Sequence, residues 1–126
     1  MNIARLKLAL QAIAAITMVS GAAQLVLPGF VLDLLAAEST PTTRHFFAIV
    51  GMFMFLFGGM LLHGLRVSPR PDVILLWASL QKFGAAAAVG IGVGRGVFSA
   101  LALLVAGFDL LSGALIFWYR SAAARK

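Results

Sequence analysis

The sequence predicts an all-α protein, an integral membrane four-helix bundle with both termini in the cytoplasm. Apolar residues fill 62% of the 126 positions and charged residues only 11%, which is unlike soluble domains. The apolar residues gather into four stretches, each able to supply the ~20 residues that cross a hydrocarbon core of ~30 Å. Basic residues mostly flank these stretches. This pattern indicates one multi-pass domain in contact with the lipid bilayer.

Turn and cap residues separate the four predicted spans. The first, residues 6–27, ends before Pro28-Gly29, and the second, residues 46–65, follows Thr40-Pro41, which resembles an N-cap with proline at the first helical position. The third covers residues 73–94 after the proline-containing segment 68–71. The fourth covers residues 97–119 after a short reversal at 94–96. No soluble domain fits between them.

The first span has a second interpretation, as a signal peptide. Arg5 and Lys7 precede its apolar run, and the small residues at 20–23 offer a cleavage site. Its apolar stretch exceeds the ~7–15 residues of a signal core, which favours a retained helix. The sequence leaves both interpretations open.

The distribution of lysine and arginine predicts the orientation. Two basic residues, Arg44 and Arg95, fall in the first and third loops, whereas seven fall at the termini and in the second loop: Arg5, Lys7, Arg66, Arg70, Arg120, Arg125 and Lys126. Because cytoplasmic segments are enriched in basic residues, both termini are predicted to be cytoplasmic. Trp77, Trp118 and Tyr119 then lie near the cytoplasmic interface, as expected for an aromatic belt.

The longest loop, between Pro28 and Arg44, is predicted to face outward. Its segment 29–35 is amphipathic and suits a short helix along the membrane interface. A loop helix that closes the end of the bundle is an equal alternative.

Lys82 and Asp109 are the most informative residues, because each lies near the centre of an apolar stretch. An ionised side chain at that depth costs at least ~2.5–3.5 kcal/mol, so it needs a partner. In a hairpin folded about Arg95 and Gly96 the two residues are equidistant from the turn. Each also lies ten residues from its cytoplasmic end, a depth of ~15 Å. The sequence therefore predicts an intramembrane charge pair.

Small residues near this pair predict close helix packing. They follow Lys82 and accompany Asp109 at helical spacing, where they allow helices to approach closely in lipid. The predicted packing residues are Ala86, Gly90, Gly94, Ala106 and Gly113, and Gln81 and Gln11 are candidates to complete the hydrogen bonds of the pair. The pair is interpreted either as a structural clamp or as a proton, ion or anionic-ligand site.

Other chemistry has weak support in the sequence. There are no cysteines, so thiol redox chemistry and thiolate metal sites are excluded, and His45 and His63 fall at opposite membrane ends, so no metal site is predicted. The glycine-rich segment 90–96 lacks the strand and lysine-serine of a phosphate loop. No catalytic residue, cofactor or nucleic-acid partner is predicted. The Met- and Phe-rich segment 52–57 suits lipid or partner contact and leaves a small hydrophobic ligand possible.

Short motifs carry a family resemblance. Residues 81–84 (Gln-Lys-Phe-Gly), 107–111 (Gly-Phe-Asp-Leu-Leu) and 114–117, with residues 44–51 and Gly58-Gly59, resemble a class of small uncharacterised bacterial four-helix membrane proteins. That class carries lysine-x-glycine in helix three and aspartate-leucine in helix four. The topology and residues 20–23 more loosely resemble the DoxX-like proteins, some of which are linked to quinone or thiosulfate metabolism. The resemblance implies a bacterial inner membrane location and no established activity.

Three functions are compatible with these observations. The first is a non-enzymatic membrane module, a packing or accessory subunit that forms a homo-oligomer or binds a membrane-protein partner. The alternative is a small transporter or proton-linked carrier that works through Lys82 and Asp109. The third is a DoxX-like redox accessory, for which no nucleophile with a neighbouring base and no metal-ligand cluster is visible.

Overall fold

The computed structural model describes residues 2–125, and this part of the chain contains five helices and no strand. The helices are α1 (Ile3–Val26), α2 (Pro28–Leu34), α3 (Pro41–Val67), α4 (Asp72–Gly94) and α5 (Ala102–Ala124). The all-α class is therefore confirmed. All but α2 are long and apolar enough to cross a membrane. They indicate a multi-pass membrane protein.

Local signals explain where the helices begin. The side chain of Asn2 accepts a hydrogen bond from the backbone N–H of Arg5 and caps α1. Thr40 and Thr43 form a reciprocal capping box at the start of α3, with Pro41 in the first turn. Because this cap lies before the most apolar residues, α3 is longer than the span predicted at 46–65.

The fourth span starts later than the sequence suggested. It was expected from residue 97, but α5 begins at Ala102. Gly96 adopts a left-handed φ of 75°, which reverses the chain after α4. The backbone N–H of Val97 then donates to the carbonyl of Gly92, and that of Ser99 donates to the carbonyl of Leu35. These bonds hold residues 95–101 in a turn beside the end of α2.

The long helices pack mainly as two antiparallel pairs, α1 with α3 and α4 with α5. The pairs meet where α1 contacts α5 and where α3 contacts α4. The core common to all four helices includes Leu10, Leu65, Leu75 and Ile116. It lies towards one end of the bundle, formed by the start of α1, the α3–α4 loop and the end of α5. We call this the basic end, because it carries Arg66, Arg70 and Arg120.

Most apolar side chains point outward rather than into this core. Only 17% to 33% of the most apolar window of each long helix is buried. A helix that is apolar on every side suits a lipid environment, where outward-facing apolar residues cost nothing. The exterior of the bundle is thus as apolar as its core.

A buried charge pair as the candidate functional site

Lys82 and Asp109 face each other across the α4–α5 pair. The ammonium Nζ of Lys82 lies 3.1 Å from the carboxylate Oδ1 of Asp109. Lys82 is 4% exposed, and the side chain of Asp109 is 13% exposed. A charge-assisted hydrogen bond at this distance offsets part of the desolvation cost of both groups. The two residues that the sequence matched in depth are thus brought into direct contact.

A third helix also binds the lysine. Lys82 Nζ donates to Thr17 Oγ1 of α1 over 2.7 Å, and Thr17 is 3% exposed. The ammonium also lies 5.2 Å from the centre of the Phe108 ring, within the range of a cation–π contact. A single side chain of α4 therefore contacts both α1 and α5.

Neither predicted glutamine takes part in this network. Within residues 2–125, no hydrogen bond joins Gln11 or Gln81 to the charged pair. Gln11 lies six residues before Thr17 on α1, ~9 Å shallower, and Gln81 is rotated about 100° around α4 from Lys82. Counted from residue 6, where the first span was predicted to start, Thr17 is ~16 Å deep. This depth is close to the ~15 Å of Lys82 and Asp109, so the same comparison of depths would have identified Thr17 as a neighbour of the pair.

A small cavity adjoins the lysine. It measures about 10 Å³ and its lining includes Thr17, Phe57, Gln81 and Lys82. This is close to the minimum of ~10–15 Å³ that one water molecule needs. The cavity therefore has room for about one water molecule beside Lys82.

Two serines extend the polar part of this interface towards the basic end. Ser79, one turn before Lys82, is fully buried and donates to the carbonyl of Leu76 over 2.8 Å. Ser112, one turn after Asp109, is 1% exposed, and its hydroxyl has no partner in the described part of the chain. Sequence analysis gave these hydroxyls no hydrogen-bonding role at the site. Each serine is three residues from a charged residue, and this spacing places it on the same helix face. That pattern could have identified both serines from the sequence.

The predicted packing residues divide into two groups. Ala106 and Gly113 are buried, and a Cβ added at Gly113 would lie 2.8 Å from the Phe83 ring. Ala86 is half-buried. Gly90 and Gly94 differ, because no atom lies within 4 Å of a Cβ built on either residue. The helix contact expected at these two glycines, within the bundle or between copies, stays a prediction.

The two histidines lie far from each other. His45 and His63 are both exposed and sit 18 residues apart on α3, a separation of ~27 Å. In the described residues, no group of three or more His, Cys, Asp or Glu side chains could hold a metal ion.

Comparisons with protein-family models, curated proteins and solved structures find no match to this chain. The class of protein is therefore argued from four apolar helices and a buried ion pair alone.

Proposed function

We propose that the chain is a non-enzymatic integral membrane module, a packing or accessory subunit whose bundle is held together by Lys82. The contact of Lys82 with Thr17 and Asp109 carries this proposal. It joins α1 of one helix pair to both helices of the other pair. In lipid, where helices gain little from hydrophobic burial, polar contacts of this kind fix how the pairs meet.

The mutual compensation of the two charges favours a clamp over the alternative of a proton-linked carrier. Both charges are compensated within 3.1 Å, and the adjoining cavity has room for about one water molecule. The four long helices are continuous, whereas transporter sites commonly lie at broken helices.

The proposal includes an orientation. Both termini are placed in the cytoplasm and the basic end at the cytoplasmic face, because the basic residues are concentrated there. We propose that α1 is retained rather than cleaved, which the burial of Leu6, Leu10 and Thr17 supports. We place α2 at the outer interface: Leu32 is buried against the bundle, whereas Phe30 is 61% exposed.

The proposal also states which membrane holds the chain and what kind of partner it binds. We place the chain in a bacterial inner membrane, with the small four-helix proteins that its motifs resemble. The open surface at Gly90 and Gly94 suits a second copy or a helix of a partner membrane protein. A redox accessory function is the least supported alternative.

The test is a double-mutant cycle on the pair. Lys82→Met and Asp109→Leu should each lower the melting temperature in detergent, because an uncompensated buried charge costs about 3–5 kcal/mol. The double variant should recover much of this loss and keep the oligomeric mass or partner of the native chain. Arg120→Gln is the matched control, since its exposed pair with Asp72 is worth about 0–1 kcal/mol.

Two outcomes would contradict the clamp. One is a double variant no more stable than the single variants. The other is proton flux through native chains in proteoliposomes, measured with a trapped pH dye, that disappears in a stably folded double variant. The second result would establish the carrier instead.

A further inference from the structure

A groove between α3 and α4 opens on the outside of the bundle towards the basic end. It measures about 520 Å³, within the range of ~300–1,000 Å³ that small-molecule sites occupy. Phe57 and Met60 of α3 line one side, and Val73, Trp77 and Leu80 of α4 line the other. These walls are apolar, and Gln81 marks the inner end.

The groove exists because α3 and α4 contact each other over a short stretch. Near the loop, Gly64 packs against Ile74, and a Cβ on Gly64 would lie 2.6 Å from the Ile74 side chain. Beside this contact, Phe57 and Met60 stay separated from Trp77. An apolar space of this size loses dispersion contacts when empty, so an apolar occupant stabilises it.

The length of the groove matches a single leaflet. From Val73 at the rim to Gln81 at the inner end is eight residues of helix, ~12 Å. Half of a ~30 Å hydrocarbon core is ~15 Å. A lipid acyl chain that starts at the interface and ends near the midplane has this extent.

The charge at the rim favours an anionic headgroup. Arg70 lies in the α3–α4 loop, three residues before Val73, and is exposed. It pairs with no acidic side chain in the described residues. The nearby Asp72 is engaged, since its carboxylate lies 3.2 Å from Arg120. Guanidinium groups bind phosphate oxygens through paired hydrogen bonds. The rim therefore has an arginine without an acidic partner next to an apolar groove.

We propose that this groove binds one acyl chain of an anionic phospholipid, whose phosphate is held by Arg70. The lipid comes from the leaflet at the basic end and covers Trp77, which is 59% exposed in the bare chain. At its inner end the groove shares Phe57 and Gln81 with the small cavity beside Lys82, but Lys82 itself does not line it.

Tryptophan quenching tests this proposal. Trp118→Phe leaves Trp77 as the sole tryptophan, because the chain has two. The protein is reconstituted in phosphatidylcholine with a small fraction of lipid brominated on its acyl chains. Brominated phosphatidylglycerol should quench Trp77 more efficiently than brominated phosphatidylcholine at the same fraction. The expected preference is roughly fivefold, as for one arginine close to the headgroup.

Matched variants locate the site. Arg70→Gln should abolish the preference, whereas Arg95→Gln, at the opposite end, should leave it. Val73→Phe, which fills the rim, should reduce quenching by phosphatidylglycerol, and Val105→Phe, on the exposed surface of α5, should not. Equal quenching of the Trp118→Phe protein by the two brominated lipids overturns the proposal. Weak quenching by both, together with a dimeric mass, would assign the groove to a second copy of the chain.

Discussion

At the scale of single residues, Lys82 is the most deeply buried charged residue in the described chain. Its ammonium group has three N–H donors, and Thr17 and Asp109 accept two of them at 2.7 Å and 3.1 Å. The Phe108 ring provides a weaker electrostatic contact. The charge is therefore compensated by groups on two neighbouring helices, and each group can be removed separately.

The threonine contribution can be measured without changing side-chain volume. Thr17→Val keeps the shape but removes the acceptor, so one donor of the buried ammonium loses its partner. We expect a loss of about 1–2 kcal/mol in unfolding free energy, measured by denaturant titration in mixed micelles. Thr42→Val, at an exposed position of α3, should change it by less than about 0.5 kcal/mol. Equal effects of the two changes would show that the hydrogen bond contributes nothing.

At the scale of helices, the closest approach is between α1 and α3. A Cβ on Gly21 would lie 2.6 Å from the carbonyl oxygen of Gly51 and from the backbone nitrogen of Phe55. The amide of Gln24 donates to the carbonyl of Phe47 over 3.0 Å in the same interface. Small residues allow this backbone contact, which is typical of helix pairs in membranes. Sequence analysis had placed such contacts on α4 and α5 instead.

A methyl group at this crossing should separate the two helices. Gly21→Ala meets backbone atoms that cannot move aside, so we expect a loss of about 1–3 kcal/mol and a lower melting temperature in detergent. Gly107→Ala is the control, since no atom lies within 4 Å of a Cβ there. It should leave stability unchanged or raise it by up to about 1 kcal/mol, because alanine favours helix. If both variants melt alike, the close approach does not limit stability.

At the scale of the whole molecule, charge and packing are both uneven between the two ends. The shared core, the Asp72–Arg120 pair and most of the basic residues lie at the basic end. The opposite end holds α2 and the α4–α5 turn, tied together by the Ser99 to Leu35 hydrogen bond. The excess of arginine at one end should decide which way the bundle inserts.

Reporter fusions test that orientation. Fusions at Arg70 and after Lys126 should read cytoplasmic, and fusions at Glu38 and Gly96 should read external, because translocation of basic segments is disfavoured. Alkaline phosphatase and green fluorescent protein provide opposite signals for the two sides. A cytoplasmic reading at Glu38 would overturn the proposed topology.

The sequence by itself determined the features that depend on local pattern. Hydropathy located four long helices, and Thr40 with Pro41 marked the start of α3, as the capping box confirms. Lys82 and Asp109 could be paired from the sequence because a short turn joins their helices. Residues equally far from that turn lie at the same depth in the membrane. The exception was the start of α5, where residues 97–101 look apolar enough for helix but form a turn that bonds to Gly92 and Leu35 instead.

Only the tertiary structure decided how the helices are rotated against one another. Helices that are apolar on every side have no polar face to set that rotation, so hydropathy could not choose among the small-residue faces. The Gly21–Gly51 crossing and the groove beside Trp77 follow from contacts between residues distant in sequence. Thr17 lies 65 residues from Lys82, and its contact forms only because α1 packs against the α4–α5 pair with that face inward.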